Sequence, residues 1–112
     1  MEIGVDIVSV ERIKKALSKD GFREKIYTEN EIKYCESRKN KFESYACRFA
    51  AKEAFSKAMG TGFRGNFNFL DIEIKNNDMG KPYIKYKQHK VKLSISHEKD
   101  YAIATVLLEE EL

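Results

Sequence analysis

The sequence predicts an α+β fold: a mainly antiparallel sheet packed against one long helix and several shorter ones. Three observations predict it. In residues 2–8, Ile3, Val5 and Ile7 alternate with Gly4, Asp6 and Val8, which is the period of a β-strand. Residues 41–59 read as a long helix that stops at Gly60, the usual C-terminal glycine. Residues 91–97 and 101–108 read as two antiparallel strands joined by the short polar connection Glu98-Lys99-Asp100. Elements of this kind give a sheet with helices on one side, and the whole of 1–112 reads as a single domain.

The elements follow in order. The first strand leads into a helix over about 11–19 that is rich in Lys and Arg. Thr28-Glu29-Asn30-Glu31 is a capping-box pattern that opens a helix to about Ser37. After the long helix, Leu70, Ile72 and Ile74 alternate with Asp71, Glu73 and Lys75, as in a half-exposed strand. Asn76-Asn77-Asp78-Met79-Gly80 makes the turn, and 81–87 returns as its partner. Residues 101–108 are apolar on both faces, which places that strand centrally. Glu109-Glu110-Glu111 reads as a frayed tail.

Composition narrows the function classes. With 21 Lys and Arg against 18 Asp and Glu, the 112-residue chain carries a net charge of +3. That is mildly basic and well short of a nucleic-acid-binding extreme. Cys35 and Cys47 lie on separate predicted helices without metal-ligand spacing, so reduced thiols in a cytoplasmic protein are expected. No apolar run is long enough to span a bilayer, and no signal-peptide pattern opens the sequence.

Four features carry candidate chemistry. Phe42, Ala46, Phe49 and Glu53 step by four, three and four, which puts an acid on an otherwise apolar helix row. A carboxylate there needs a cation, a metal or a hydrogen-bond network. Lys57 lies one turn on and Arg48 just over one turn back. An ordinary i,i+4 Glu–Lys pair on a solvated helix is the competing reading. Asp6 sits mid-strand, where Asp is depleted, and Gly4 on the same face lets a ligand or another backbone come close. It reads as a metal ligand, an edge-strand residue or an early helix cap. His97 ends its strand at a turn, where a side chain can reach a site or simply lie on the surface. Arg12, Lys15 and Lys19 form a basic stripe followed by Phe22, which suits an acidic helix with an apolar ridge or is a plain solvated face.

Together these segments resemble a known family. Gly4, Asp6 and Ile7 with Arg12-Ile13, the helix Arg48 to Ala58, and Ser94-Ile95-Ser96-His97 resemble holo-acyl-carrier-protein synthase. That is the small bacterial type of phosphopantetheinyl transferase. Gly60-Thr61-Gly62 and Gly80-Lys81-Pro82-Tyr83 match as well, so the resemblance covers nearly the whole chain. It implies a transferase of the phosphopantetheinyl type, moving 4'-phosphopantetheine from coenzyme A to a serine of apo-acyl carrier protein. Adenosine 3',5'-bisphosphate leaves, and the product supports fatty acid biosynthesis.

The resemblance also implies roles. Asp6 and Glu53 would hold Mg2+, whose hard oxygen ligands are typically one or two carboxylates plus phosphates and waters. Lys57 would reach a phosphate and count, with Asp6 and Glu53, among the catalytic residues. Arg48 would be a further anion contact, Gly62 would allow close backbone approach, and His97 would serve the nucleotide from a neighbouring subunit. Glu53, directly or through a metal-bound water, is the first choice for removing the serine proton. Arg12, Lys15, Lys19 and Phe22 would face the acidic carrier protein. A homotrimer with interfacial sites is expected, without nucleic acid or membrane as partner.

Two other classes compete. Thirteen aromatics (seven Phe, six Tyr) and a basic balance suggest a small nucleic-acid-binding protein, but Lys and Arg are spread over the chain. A non-catalytic module binding coenzyme A or carrier protein would not need Asp6, Glu53 and Lys57 together.

Overall fold

The structure is a computed structural model that describes residues 1–60 and 68–109. Strand β1 (Glu2–Ser9) opens it and runs straight into helix α1 (Val10–Leu17). The Ser9 side chain caps α1 by accepting from the Arg12 amide at 3.2 Å. Val10, Ile13 and Leu17 make its buried face, so Arg12 and Lys15 point to solvent. The helix ends two residues before the expected 19, and Lys19 lies in the turn beyond it.

A short helix that the sequence reading omits, α2 (Phe22–Ile26), follows Gly21, whose φ of 84° is the left-handed region open to glycine. Five residues are too few for a helical period to register. Helix α3 (Glu29–Glu36) starts with the expected capping box between Thr28 and Glu31. Helix α4 (Lys41–Met59) has the predicted bounds and stops at Gly60, with φ 80°.

The second half is strand-rich. Asn68 folds the chain locally: its Oδ1 accepts from the Leu70 amide and its own amide donates to Asp71 Oδ2. Side-chain bonds of this kind compete with strand pairing, so Phe69–Asp71 form a 3-10 turn and the strand starts later than predicted. Strands β2 (Glu73–Asn76) and β3 (Pro82–Lys85) form a hairpin. Strands β4 (Val91–His97) and β5 (Tyr101–Leu108) complete the fold.

Strand pairing among the described residues is antiparallel throughout, as expected, and falls into two sheets. The larger has the order β1-β5-β4, with β5 central as its two apolar faces predict, and β2-β3 forms a separate two-stranded sheet whose β3 lies near β4. The register sets Asp6 opposite Ala104 and Ala104 opposite Ile95. On the inner face, Gly4, Val8, Ala102, Ala104 and Val106 are buried against α4. On the outer face, Ile3, Val5 and Ile7 are 68%, 51% and 62% exposed. The more apolar face of β1 is therefore the one turned away from its own helix.

Small residues allow this close packing. A Cβ on Gly4 would overlap the Ala54 carbonyl oxygen and lie 2.8 Å from the Ala58 amide nitrogen. Opposite the small sheet residues, α4 presents Ala50, Ala51, Ala54 and Ala58, all buried.

The other flank of α4 holds a buried ion pair that the sequence reading passed over. Lys52 Nζ donates to Glu31 Oε1 and to the Ile26 carbonyl, each at 2.7 Å, and to the Phe69 carbonyl at 2.9 Å. Glu31 Oε2 accepts from the Ile74 amide at 2.9 Å. Both side chains are fully buried. Desolvation pushes the Lys52 ammonium below its ordinary pKa, and the Glu31 charge opposes that. The unpaired thiols of Cys35 and Cys47 are buried too, and desolvation pushes them up to about 12 and about 11.

Because the Ala54 backbone leaves no room at Gly4, Gly4→Ala should destabilise the protein by about 1–3 kcal/mol or more. Urea denaturation measures this, and a loss below about 0.5 kcal/mol would show that β1 does not sit against α4 as described.

Candidate active site

Three charged side chains distant in sequence meet where β1 crosses α4. Asp6 lies on the inner face of β1, two residues after Gly4, with its side chain 16% exposed. Lys57 Nζ donates to Asp6 Oδ1 and to the Val5 carbonyl, both at 3.1 Å. Glu53 lies one helical turn before Lys57 and is half-buried. Desolvation raises the Glu53 pKa, the Asp6 charge raises it further, and Lys57 opposes both. The structure thus brings Asp6 to Glu53 and Lys57, a meeting that the resemblance implied and helical spacing alone gave only for Glu53 and Lys57.

The donor set can be tested against a divalent cation. Among the described residues no group of three or more His, Cys, Asp or Glu converges. The described residues therefore offer no all-protein cage, which calcium or zinc would favour. Two carboxylates at the edge of solvent suit magnesium, which keeps waters and takes phosphate oxygens. The residues present fit that ion.

A second feature lies on another side of α4. A cavity of about 320 Å³ is lined by Tyr34, Arg38, Lys39, Arg48, Asn76 and His97 among others. Arg48 is 4% exposed, and its Nη2 donates to Asn76 Oδ1 at 2.7 Å. Its guanidinium stacks over the Tyr34 ring at 4.1 Å. Its Nε has no hydrogen-bond partner, and no carboxylate pairs with it among the described residues. A buried cation with an unmet donor, beside Arg38 and Lys39, makes this cavity a place for an anion.

His97 reaches the same cavity, with Nδ1 3.5 Å from Glu43 Oε1. None of Asp6, Glu53 and Lys57 lines it, so His97 and the carboxylate pair are not brought together within one chain. Gly62 lies outside the described residues. Arg12 and Lys15 are exposed on α1. Phe22 is half-buried, 6.5 Å from the Tyr27 ring and stacked 6.4 Å from Phe49, so much of it belongs to the core. The sequence reading missed Asn76, Tyr34, Arg38 and Lys39. Asn76 looked like an ordinary turn residue, and nothing in its own neighbourhood signals a contact 28 residues away.

Comparison with known proteins fits this geometry. The family model described as the 4'-phosphopantetheinyl transferase superfamily matches residues 2–106. The chain belongs to that superfamily. Within it, the holo-[acyl-carrier-protein] synthase of Fusobacterium nucleatum is 45% identical, covering 95% of this chain and 96% of that protein. That of Bacillus thuringiensis is 50% identical, covering 96% and 93%. Among solved structures, a Bacillus anthracis holo-(acyl-carrier-protein) synthase in complex with CoA (3',5'-ADP) superposes with a TM-score of 0.90. It is 49% identical, covering 98% of this chain and 96% of that one. The Helicobacter pylori enzyme in complex with coenzyme A gives 0.86 at 35% identity, covering 96% and 99%. This family membership is what the three sequence segments had pointed to.

Proposed function

We propose that this chain transfers 4'-phosphopantetheine from coenzyme A to a serine of apo-acyl carrier protein, giving the holo form and adenosine 3',5'-bisphosphate. The observation that carries this reading is the meeting of Asp6, Glu53 and Lys57 at the β1–α4 contact, in a chain of this superfamily. One domain spanning 1–112 carries the activity.

The serine oxygen bonds to the phosphorus that bears the pantetheine arm, and the pyrophosphate P–O bond to the nucleotide breaks. Lys57 supplies positive charge to the pyrophosphate oxygens as that bond opens. Asp6 and Glu53 would hold magnesium, which when bound neutralises the same oxygens. Glu53, whose proton affinity is raised by burial, is the candidate to take the serine proton. Arg48, with Arg38, Lys39 and His97, would take the anionic nucleotide end in the adjacent cavity. Arg12, Lys15 and Lys19 would meet the acidic carrier protein, with the exposed edge of Phe22 beside them.

Association completes the reading. Ile3, Val5, Ile7, Tyr101 and Ile103 leave an apolar outer sheet face on β1 and β5 exposed, and a homotrimer would cover it. Interfacial sites would then let His97 of one subunit serve the carboxylate pair of another. No described helix is long and apolar enough to cross a membrane, and two reduced thiols suit a cytoplasmic location.

Mass spectrometry tests the activity. An apo-carrier protein incubated with this chain, coenzyme A and magnesium should gain one phosphopantetheine on one serine. No mass gain would leave only a binding module.

Sedimentation tests the assembly. The wild type should run as a trimer, and Val5→Glu, which places charge on the apolar face, should dissociate and lose most turnover. A monomeric wild type with full turnover would refute the interfacial site.

A further inference from the structure

Lys57 is bonded to Asp6 and the Val5 carbonyl and also faces the neighbouring charge of Glu53, which bears on how the site fills. Lys57 is the sole hydrogen-bond partner of the Asp6 side chain among the described residues. The Glu53 side chain makes neither a hydrogen bond nor an ion pair within the described residues, and the Lys57 charge acts on it only through space. The Lys57 side chain is 56% exposed while that of Asp6 is 16% exposed. The ammonium therefore covers the carboxylate from the solvent side, on a flexible stem that can swing away.

We infer that Lys57 holds the place of the divalent cation at Asp6 and makes metal and pyrophosphate binding mutually dependent. This rests on the reading that Asp6 and Glu53 hold the metal. A cation that binds Asp6 meets the like charge of the ammonium already bonded to that carboxylate, so the two compete for it. A phosphate that binds the ammonium offsets its charge and weakens its hold on Asp6. Each ligand weakens the other's competitor, so each strengthens the other's binding by the same factor. The site then fills with metal and coenzyme A together. A cation alone binds weakly, because it meets an Asp6 that is already paired.

The test uses Mn2+ as the probe, with free ion followed by electron paramagnetic resonance and no carrier protein present. It compares wild type, Lys57→Met, Asp6→Asn and Lys92→Met, each with and without coenzyme A. Without coenzyme A, Lys57→Met should bind Mn2+ about five-fold more tightly than wild type. That equals ~1 kcal/mol, the upper range for a partly exposed ion pair. Coenzyme A should tighten Mn2+ binding in wild type by a larger factor than in Lys57→Met. Lys92 is 74% exposed on β4 and touches neither carboxylate, so Lys92→Met controls for the loss of one positive charge. Equal or weaker Mn2+ binding by Lys57→Met overturns the inference, as does an equal gain in Lys92→Met. If wild type and Asp6→Asn bind Mn2+ equally in the presence of coenzyme A, the metal reading itself fails and this inference falls with it.

Discussion

The contact between Gly4 and the Ala54 backbone is the constraint on which the rest depends. A strand carrying any side chain at that point would be held off the helix. With glycine there, β1 lies directly on α4, and Asp6 follows on the same face about 7 Å further along. The helix residues around Ala54 are Glu53, Lys57 and Ala58, so the strand that touches Ala54 brings its carboxylate to Glu53 and Lys57. The small residues on both surfaces, Ala102 and Ala104 against Ala50 and Ala54, extend this close approach along the helix. Chemistry at this site depends on a backbone contact first and on the charged side chains second.

Close approach sets a distance and leaves the rotation of α4 open. The buried Lys52–Glu31 pair limits that rotation. Lys52 precedes Glu53 and points about 100° away around the helix axis. Its ammonium is held by Glu31 and by the Ile26 and Phe69 carbonyls, which commits that side of α4 to α2, α3 and the segment before β2. Glu53 is thereby turned toward β1. A buried pair of this kind adds little net stability compared with apolar residues of the same shape. Its effect here is on register. The same pair reaches β2 through the Ile74 amide, and the last residue of β2, Asn76, holds Arg48 in the anion cavity. The carboxylate cluster at β1–α4 and the cavity around Arg48 thus share one anchor.

The sequence revealed features governed by local rules. The bounds of α4, the Thr28–Glu31 capping box and the central place of β5 each follow from a few neighbouring residues. Asp6 and Glu53 were legible because each breaks the pattern around it, and Lys57 because it lies one helical turn from Glu53. What stayed hidden depends on residues far apart in sequence. Lys52 and Glu31 are 21 residues apart, and charged residues on a helix are by default solvent-facing, so neither signalled burial. Glu31 had already been explained as a cap, and it serves both purposes. The orientation of β1 was likewise hidden: alternation identifies two faces, and an exposed apolar face looks like a core face in sequence. Phe22 reads as a surface aromatic until the stacked rings of Phe49 and Phe69 place it in the core.

The central claim is that Asp6 and Glu53 act as one unit, because β1 lies directly on α4. A double-mutant cycle on the single-turnover transfer rate measures this most directly. Asp6→Asn and Glu53→Gln should each cost on the order of a hundredfold, as for other preorganised electrostatic contacts. The double variant should lose no more than about threefold beyond the weaker single variant, since parts of one unit are strongly non-additive. Losses that multiply, giving about ten-thousandfold in the double variant, would show two independent carboxylates and contradict the account.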